Sequence, residues 1–156
     1  MFVPYSEIAN SSRVWVYQSD RILSDKEVIF IQQKLLAFCK DWKAHQANLK
    51  SSYEVLHNRF IILLVDEQEQ KSSGCSIDSS VKVIKEIEAV FGIDLFNRTQ
   101  IAFEQNGEII TLSTPEFKKV VQSDTIVFNN LVTTKADLEE NWKTVASNSW
   151  HAKFLV

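Results

Sequence analysis

Residues 60–65, Phe-Ile-Ile-Leu-Leu-Val, are apolar at every position, with no polar face at a spacing of two. Such a run predicts a strand buried on both sides. Downstream, Ile77, Val81, Ile84, Ile87 and Phe91 recur at helical spacing, and Gly92 follows as a helix stop. Between them lie Ser72-Ser73-Gly74-Cys75-Ser76-Ile77-Asp78-Ser79-Ser80. The nine residues open a helix just past a central strand, with Ser76 or Asp78 as its N-cap and Gly74 easing the turn.

Upstream, Val14-Trp15-Val16-Tyr17 predicts a first strand. Ser24-Asp25-Lys26-Glu27 is a capping box, and Val28, Ile31, Leu35, Phe38 and Trp42 form one buried stripe after it. Cys39 sits beside this stripe as a core residue, and His45 extends it if the helix lasts that far. Residues 53–56 and 60–65 flank His57-Asn58-Arg59, a hairpin turn in which Asn58 accepts a left-handed conformation.

Residues 100–105 and 108–112 are joined by Asn106-Gly107, the strongest hairpin signal in the chain. Thr114-Pro115-Glu116 starts a short helix with proline at its first position, burying Phe117, Val120 and Val121. Residues 124–131 read as a strand. Thr134 and Asp137 then open a fourth helix carrying Leu138, Trp142 and Val145. Residues 149–156 are too apolar for a free tail, and are expected to dock as a short strand or covering arm.

The order β-α-β-β-α-β, followed by β-α-β-α, predicts an α+β fold in one domain spanning 1–156. Its first six elements match the split-βαβ, ferredoxin-like pattern. The extra C-terminal elements are expected to cover the second face of the sheet, since the strand at 60–65 is apolar on both sides. A length of 156 residues suits one such core.

The net charge of -3 gives no general reason to expect nucleic-acid binding. Two cysteines with no pairing pattern suit a reducing, cytoplasmic setting. The N-terminus does not read as a signal peptide, and no apolar run approaches the roughly 20 residues that span a bilayer.

Ser-Gly-Cys-Ser-Ile-Asp-Ser-Ser at 73–80, with Trp42 and His45 before it and Ser149-Trp150-His151 after it, resembles a family of short Bacteroidetes proteins. That family is often labelled "ABC transporter ATPase". The label implies nucleotide hydrolysis on a phosphate-cradling loop, which needs Gly-x-x-x-x-Gly-Lys-Ser/Thr. This chain has no such motif and three glycines in all.

Three readings of the chemistry follow from the residues themselves. The preferred one is a small anionic ligand held at the helix start by Ser73, Gly74, Ser76 and Asp78, with His151 nearby and Lys71 adding charge. The second is thiol chemistry at Cys75, whose thiolate a helix N-terminus stabilises, with His45 or His151 as base and Asp66 or Asp78 orienting it. The third is a domain that binds a protein partner through a sheet edge or an aromatic patch. His45, His57, His151, Cys75 and Asp66 have no metal-ligand spacing, and no cofactor is implied. Of the four tryptophans, Trp42 and Trp142 fall on core stripes, leaving Trp15 and Trp150 to line a pocket or interface.

Overall fold

A computed structural model describes Met1 through Val156. The first half runs β1 (Arg13–Gln18), α1 (Asp25–Asp41), β2 (Lys43–Ala44), β3 (Ala47–Asn48), β4 (Lys50–Leu56), β5 (Phe60–Asp66) and α2 (Gly74–Phe91). The second half runs β6 (Gln100–Gln105), β7 (Glu108–Ser113), α3 (Thr114–Val120), β8 (Ile126–Phe128), α4 (Lys135–Asn141) and β9 (Lys143–Val145). Short 3-10 turns close the chain at Ala146–Asn148 and Trp150–Phe154. The fold is α+β with antiparallel sheets.

β5 is the middle strand of a three-stranded sheet ordered β1-β5-β4. Residues 60–65 are all 0% exposed, as an unbroken apolar run requires. Ile61 and Leu63 pack with Ile31, Leu35 and Cys39 of α1 and Ile84 and Ile87 of α2. Phe60, Ile62 and Leu64 point the other way, onto Ala102, Phe128, Val132, Leu138 and Trp142 from the C-terminal half. Each such side chain contributes roughly 1.5–3 kcal/mol relative to exposure, so neither face is stable uncovered. The C-terminal elements do cover the second face.

The fourth strand of the split-βαβ pattern goes elsewhere. β6 does not return beside β1; it joins a second sheet ordered β7-β6-β8-β9. Its local hairpin with β7, turned by Asn106 (φ 54) and Gly107 (φ 79), supplies its main pairing. Ala102 and Phe128 face the first sheet, while Ile101, Phe103 and Val127 turn outward onto Phe117, Ala146, Trp150 and Phe154. The molecule is therefore layered as helices, sheet, sheet, and a cover of α3 with the C-terminal turns.

Several local expectations shift. The capping box at Ser24 and Glu27 forms, but α1 stops at Asp41 and Trp42 is extended. His45 is thus off the stripe: with Gln46 it makes the two-residue turn between β2 and β3, both at positive φ. The N-cap of α2 is Ser73, with Ser76 at the third helical position. Gly74 is the first helical residue and has no positive φ, so it does not ease a turn. Ser113 caps α3, which puts Pro115 second rather than first. The strand expected at 124–131 shrinks to Ile126–Phe128, and the C-terminal tail docks as a 3-10 turn with His151 1% exposed.

Candidate functional site

The serines at the start of α2 bond largely within the turn. Ser73 Oγ accepts from Ser76 N–H at 3.1 Å, and Ser76 Oγ accepts from Ser73 N–H at 2.7 Å while donating to Ser73 O at 2.8 Å. Glu67 takes both the backbone N–H and the hydroxyl of Ser72, at 2.8 and 2.6 Å. Ser79 and Ser80 turn their hydroxyls back onto Cys75 O and Ile77 O. Of the serine hydroxyls in the turn, those of Ser72, Ser76, Ser79 and Ser80 already donate within the chain, and a carboxylate lies against it.

The residues read as a thiol centre are not joined to one another. Cys75 and Asp78 are exposed, and no hydrogen bond reaches the Cys75 thiol. His45 stands exposed on the β2–β3 turn, and Asp66 accepts from Gln68 N–H at 3.0 Å. His151 lies in the C-terminal turn, bonded to Ser149. His57 stacks on Trp142 with ring centres 5.9 Å apart.

A cavity of about 470 Å³ lies instead along the outer edge of β1. Ile77 and Val81 of α2 and Leu95 and Phe96 form one side; Phe128, Val132, Trp150 and His151 form the other. This size is usual for a small-molecule site, as is the predominantly apolar wall. The helix start thus does border the cavity, but through Ile77 and Val81 rather than through its serines.

The edge of β1 is open because β6 left for the second sheet. Val14 N–H donates to Thr133 O at 3.0 Å, so its backbone groups face away from β5. By the alternation of an antiparallel pair, those of Val16 face the same way. No protein group meets the Val16 N–H or C=O. Beyond it, Gln18 bridges the gap with its side chain: Nε2 donates to Gln100 O at 3.1 Å, and Oε1 accepts from Asn130 Nδ2 at 2.9 Å. Asn130 Oδ1 in turn accepts from Trp142 Nε1 at 2.9 Å.

His151 and Trp150 add polar atoms to this wall. Burial pushes the His151 imidazole down to about 4, with the Lys153 charge acting in the same direction, so the ring is neutral at neutral pH. Ser149 Oγ is 2.6 Å from His151 Nδ1 and 3.5 Å from Ala146 O. The shorter contact assigns the hydroxyl hydrogen to Nδ1, which leaves the ring proton on Nε2. Nε2 meets no protein partner. Trp150 stacks on this ring at 3.9 Å, and its Nε1 is buried without an acceptor. Buried donors are nearly always paired, so the Trp150 indole marks a place where an acceptor is missing.

Two further groups complete the site. Burial raises the Tyr17 phenol, against the pull of the Ser80 hydroxyl and the Arg98 charge. Arg98 lines the cavity yet is exposed and makes no ion pair or hydrogen bond. Sequence reasoning singled out His151, Trp15 and Trp150, all of which line this cavity. Val16, Tyr17 and Arg98 line it too, with no sequence signal of a site. An open strand edge has no signal in the sequence, because it depends on where a distant strand goes. Compared with family models, curated proteins and solved structures, the chain matches none.

Proposed function

We propose that this protein binds a small, largely apolar anionic molecule in the cavity beside β1. The supporting observation is an apolar cavity lined by His151, whose Nε2 has no protein partner, and by Trp150, whose Nε1 is buried without an acceptor. A carbonyl or carboxylate oxygen supplies the missing acceptor, and Arg98 favours a negative charge on the same molecule. The anionic ligand expected at Gly74–Asp78 thus moves from the serines of α2 to the opposite wall and His151. Thiol chemistry gains no support, since no base touches Cys75. Two free thiols suit a reducing, cytoplasmic setting. No helix is long and apolar enough to cross a membrane.

The test is a thermal-shift screen of aliphatic and aromatic carboxylates against wild type, Val81→Trp and Cys75→Ala. Val81 is only partly buried, so tryptophan there blocks the cavity from the helix side. A ligand at a hundred times its dissociation constant stabilises the fold by about 2.7 kcal/mol. The expected result is a shift in wild type and Cys75→Ala that Val81→Trp abolishes. An equal shift in Val81→Trp, or no shift with any compound, overturns the reading.

A further inference from the structure

Resting on the cavity reading, we infer that the ligand is a short apolar peptide with a free C-terminal carboxylate, paired to the open edge of β1. The backbone makes this case. Val16 N–H and C=O lie side by side on the cavity side of the strand with no partner. A single oxygen satisfies only the donor. An amino-acid residue placed opposite in antiparallel register satisfies both, giving its own N–H to Val16 O and its C=O to Val16 N–H. Adding a strand to an exposed sheet edge is a recurrent mode of peptide recognition.

The flanks of the edge limit the length. Thr133 O already takes the Val14 N–H at one end, and the Gln18 side chain is latched to Gln100 and Asn130 across the gap at the other. Between these two ties Val16 offers both its N–H and its C=O, so one ligand residue pairs fully there and a neighbour on each side fills the groove, roughly three residues at ~3.3 Å each. Side chains of that segment alternate between two faces. One face meets Ile77, Val81 and Phe96; the other meets Phe128, Val132 and Trp150. Both are apolar, so the segment carries no charged side chain. Arg98, the unpaired cation of the lining, supplies charge complementarity for the terminal carboxylate. The peptide would stand beside β1, where a split-βαβ sheet carries its fourth strand.

The probes are N-acetyl-trivaline with a free carboxylate, its analogue N-methylated at the middle residue, its C-terminal amide, and decanoate. They are titrated into the full chain while amide hydrogen exchange is followed by NMR. Acetyl-trivaline is expected to slow exchange of the Val16 amide at least tenfold. N-methylation is expected to weaken binding at least tenfold, because it removes the donor to Val16 O. The C-terminal amide should bind several-fold more weakly than the acid, and Arg98→Gln, a change at an exposed side chain, should erase that difference. Equal binding of the N-methylated peptide, or unaltered Val16 exchange at saturation, overturns the peptide assignment. Binding of decanoate with no response to any peptide also overturns it while leaving the cavity reading intact. Silence from all four probes removes both.

Discussion

The indole Nε1 of Trp42 donates to the backbone carbonyl of Ser76 at 2.8 Å, fastening the first turn of α2 to the residue that follows α1. Trp42 is 2% exposed and lies against Phe38 and Trp15, with ring centres 4.8 and 6.0 Å away. The contact holds Ile77, the next residue along, against the cavity. Trp42→Phe keeps a ring in place and removes the donor. The expected loss is about 1–2 kcal/mol in urea denaturation, from one buried hydrogen bond and a small void. Wild-type stability in this variant would show that the bond does not hold the helix start.

Arg59 is the corresponding tie between the two sheets. It is 6% exposed, yet no carboxylate pairs with it: its guanidinium donates to Ser19 O, Asp20 O, Ile109 O and Thr111 Oγ1. Desolvation lowers its affinity for a proton, with the Asp20 charge opposing. Arg59→Met fills similar volume but strands several carbonyls. An expected destabilisation of about 2–4 kcal/mol follows, read from denaturant midpoints. A loss below ~1 kcal/mol would mean that water replaces the guanidinium without penalty.

The two cysteines should separate cleanly in thiol labelling. Cys39 is 0% exposed, and burial pushes its thiol up to about 11 against the Ser51 hydroxyl. Cys75 is exposed at the start of α2. A small thiol reagent at neutral pH is expected to modify Cys75 alone in the native protein, and both residues after unfolding. Mass spectrometry of the labelled chain decides it; native modification of Cys39 would contradict the packing of α1.

Stability should fall as the solution is acidified through the range set by His151. Its imidazole has an ordinary value of 6.5 and is pushed down to about 4 by burial. Between those values the unfolded chain binds a proton that the folded one refuses, so stability is full above 6.5 and declines towards 4. The gap amounts to about 3 kcal/mol. Glu27, held near 2 by Arg21 and Ser24, adds a separate loss lower down, as pH falls from 4.5. His151→Gln is expected to flatten the upper window and leave the lower one. An unchanged slope between 6.5 and 4 in that variant would exclude His151 as its source.

The local code for most elements is written along the chain. Ser24 with Glu27 caps α1, Asn106-Gly107 turns a hairpin, Thr134 opens α4, and Gly92 ends α2 with φ 61. Each is a contact within a few residues, so its cause lies wholly in neighbouring side chains. The same holds for β5: six consecutive apolar residues demand cover on both faces, whatever supplies it.

The position of the site was decided over longer distances. From residues alone, the serines at 72–80 resemble an open anion cradle, but folding turns them onto one another and brings Glu67 against Ser72. His45 extends a helical stripe only if α1 continues; Trp42 leaves the helix to reach Ser76, and the stripe ends. The open edge at Val16 exists because β6 pairs with β7 and β8 rather than β1. Strand partners are chosen by hydrogen bonds and packing between segments far apart in sequence, and a backbone N–H carries no mark of whether it will be paired. Sequence by itself therefore determined the elements and the need for two covered faces. Only the tertiary structure decided which strand edge stayed free, and so where a ligand can bind.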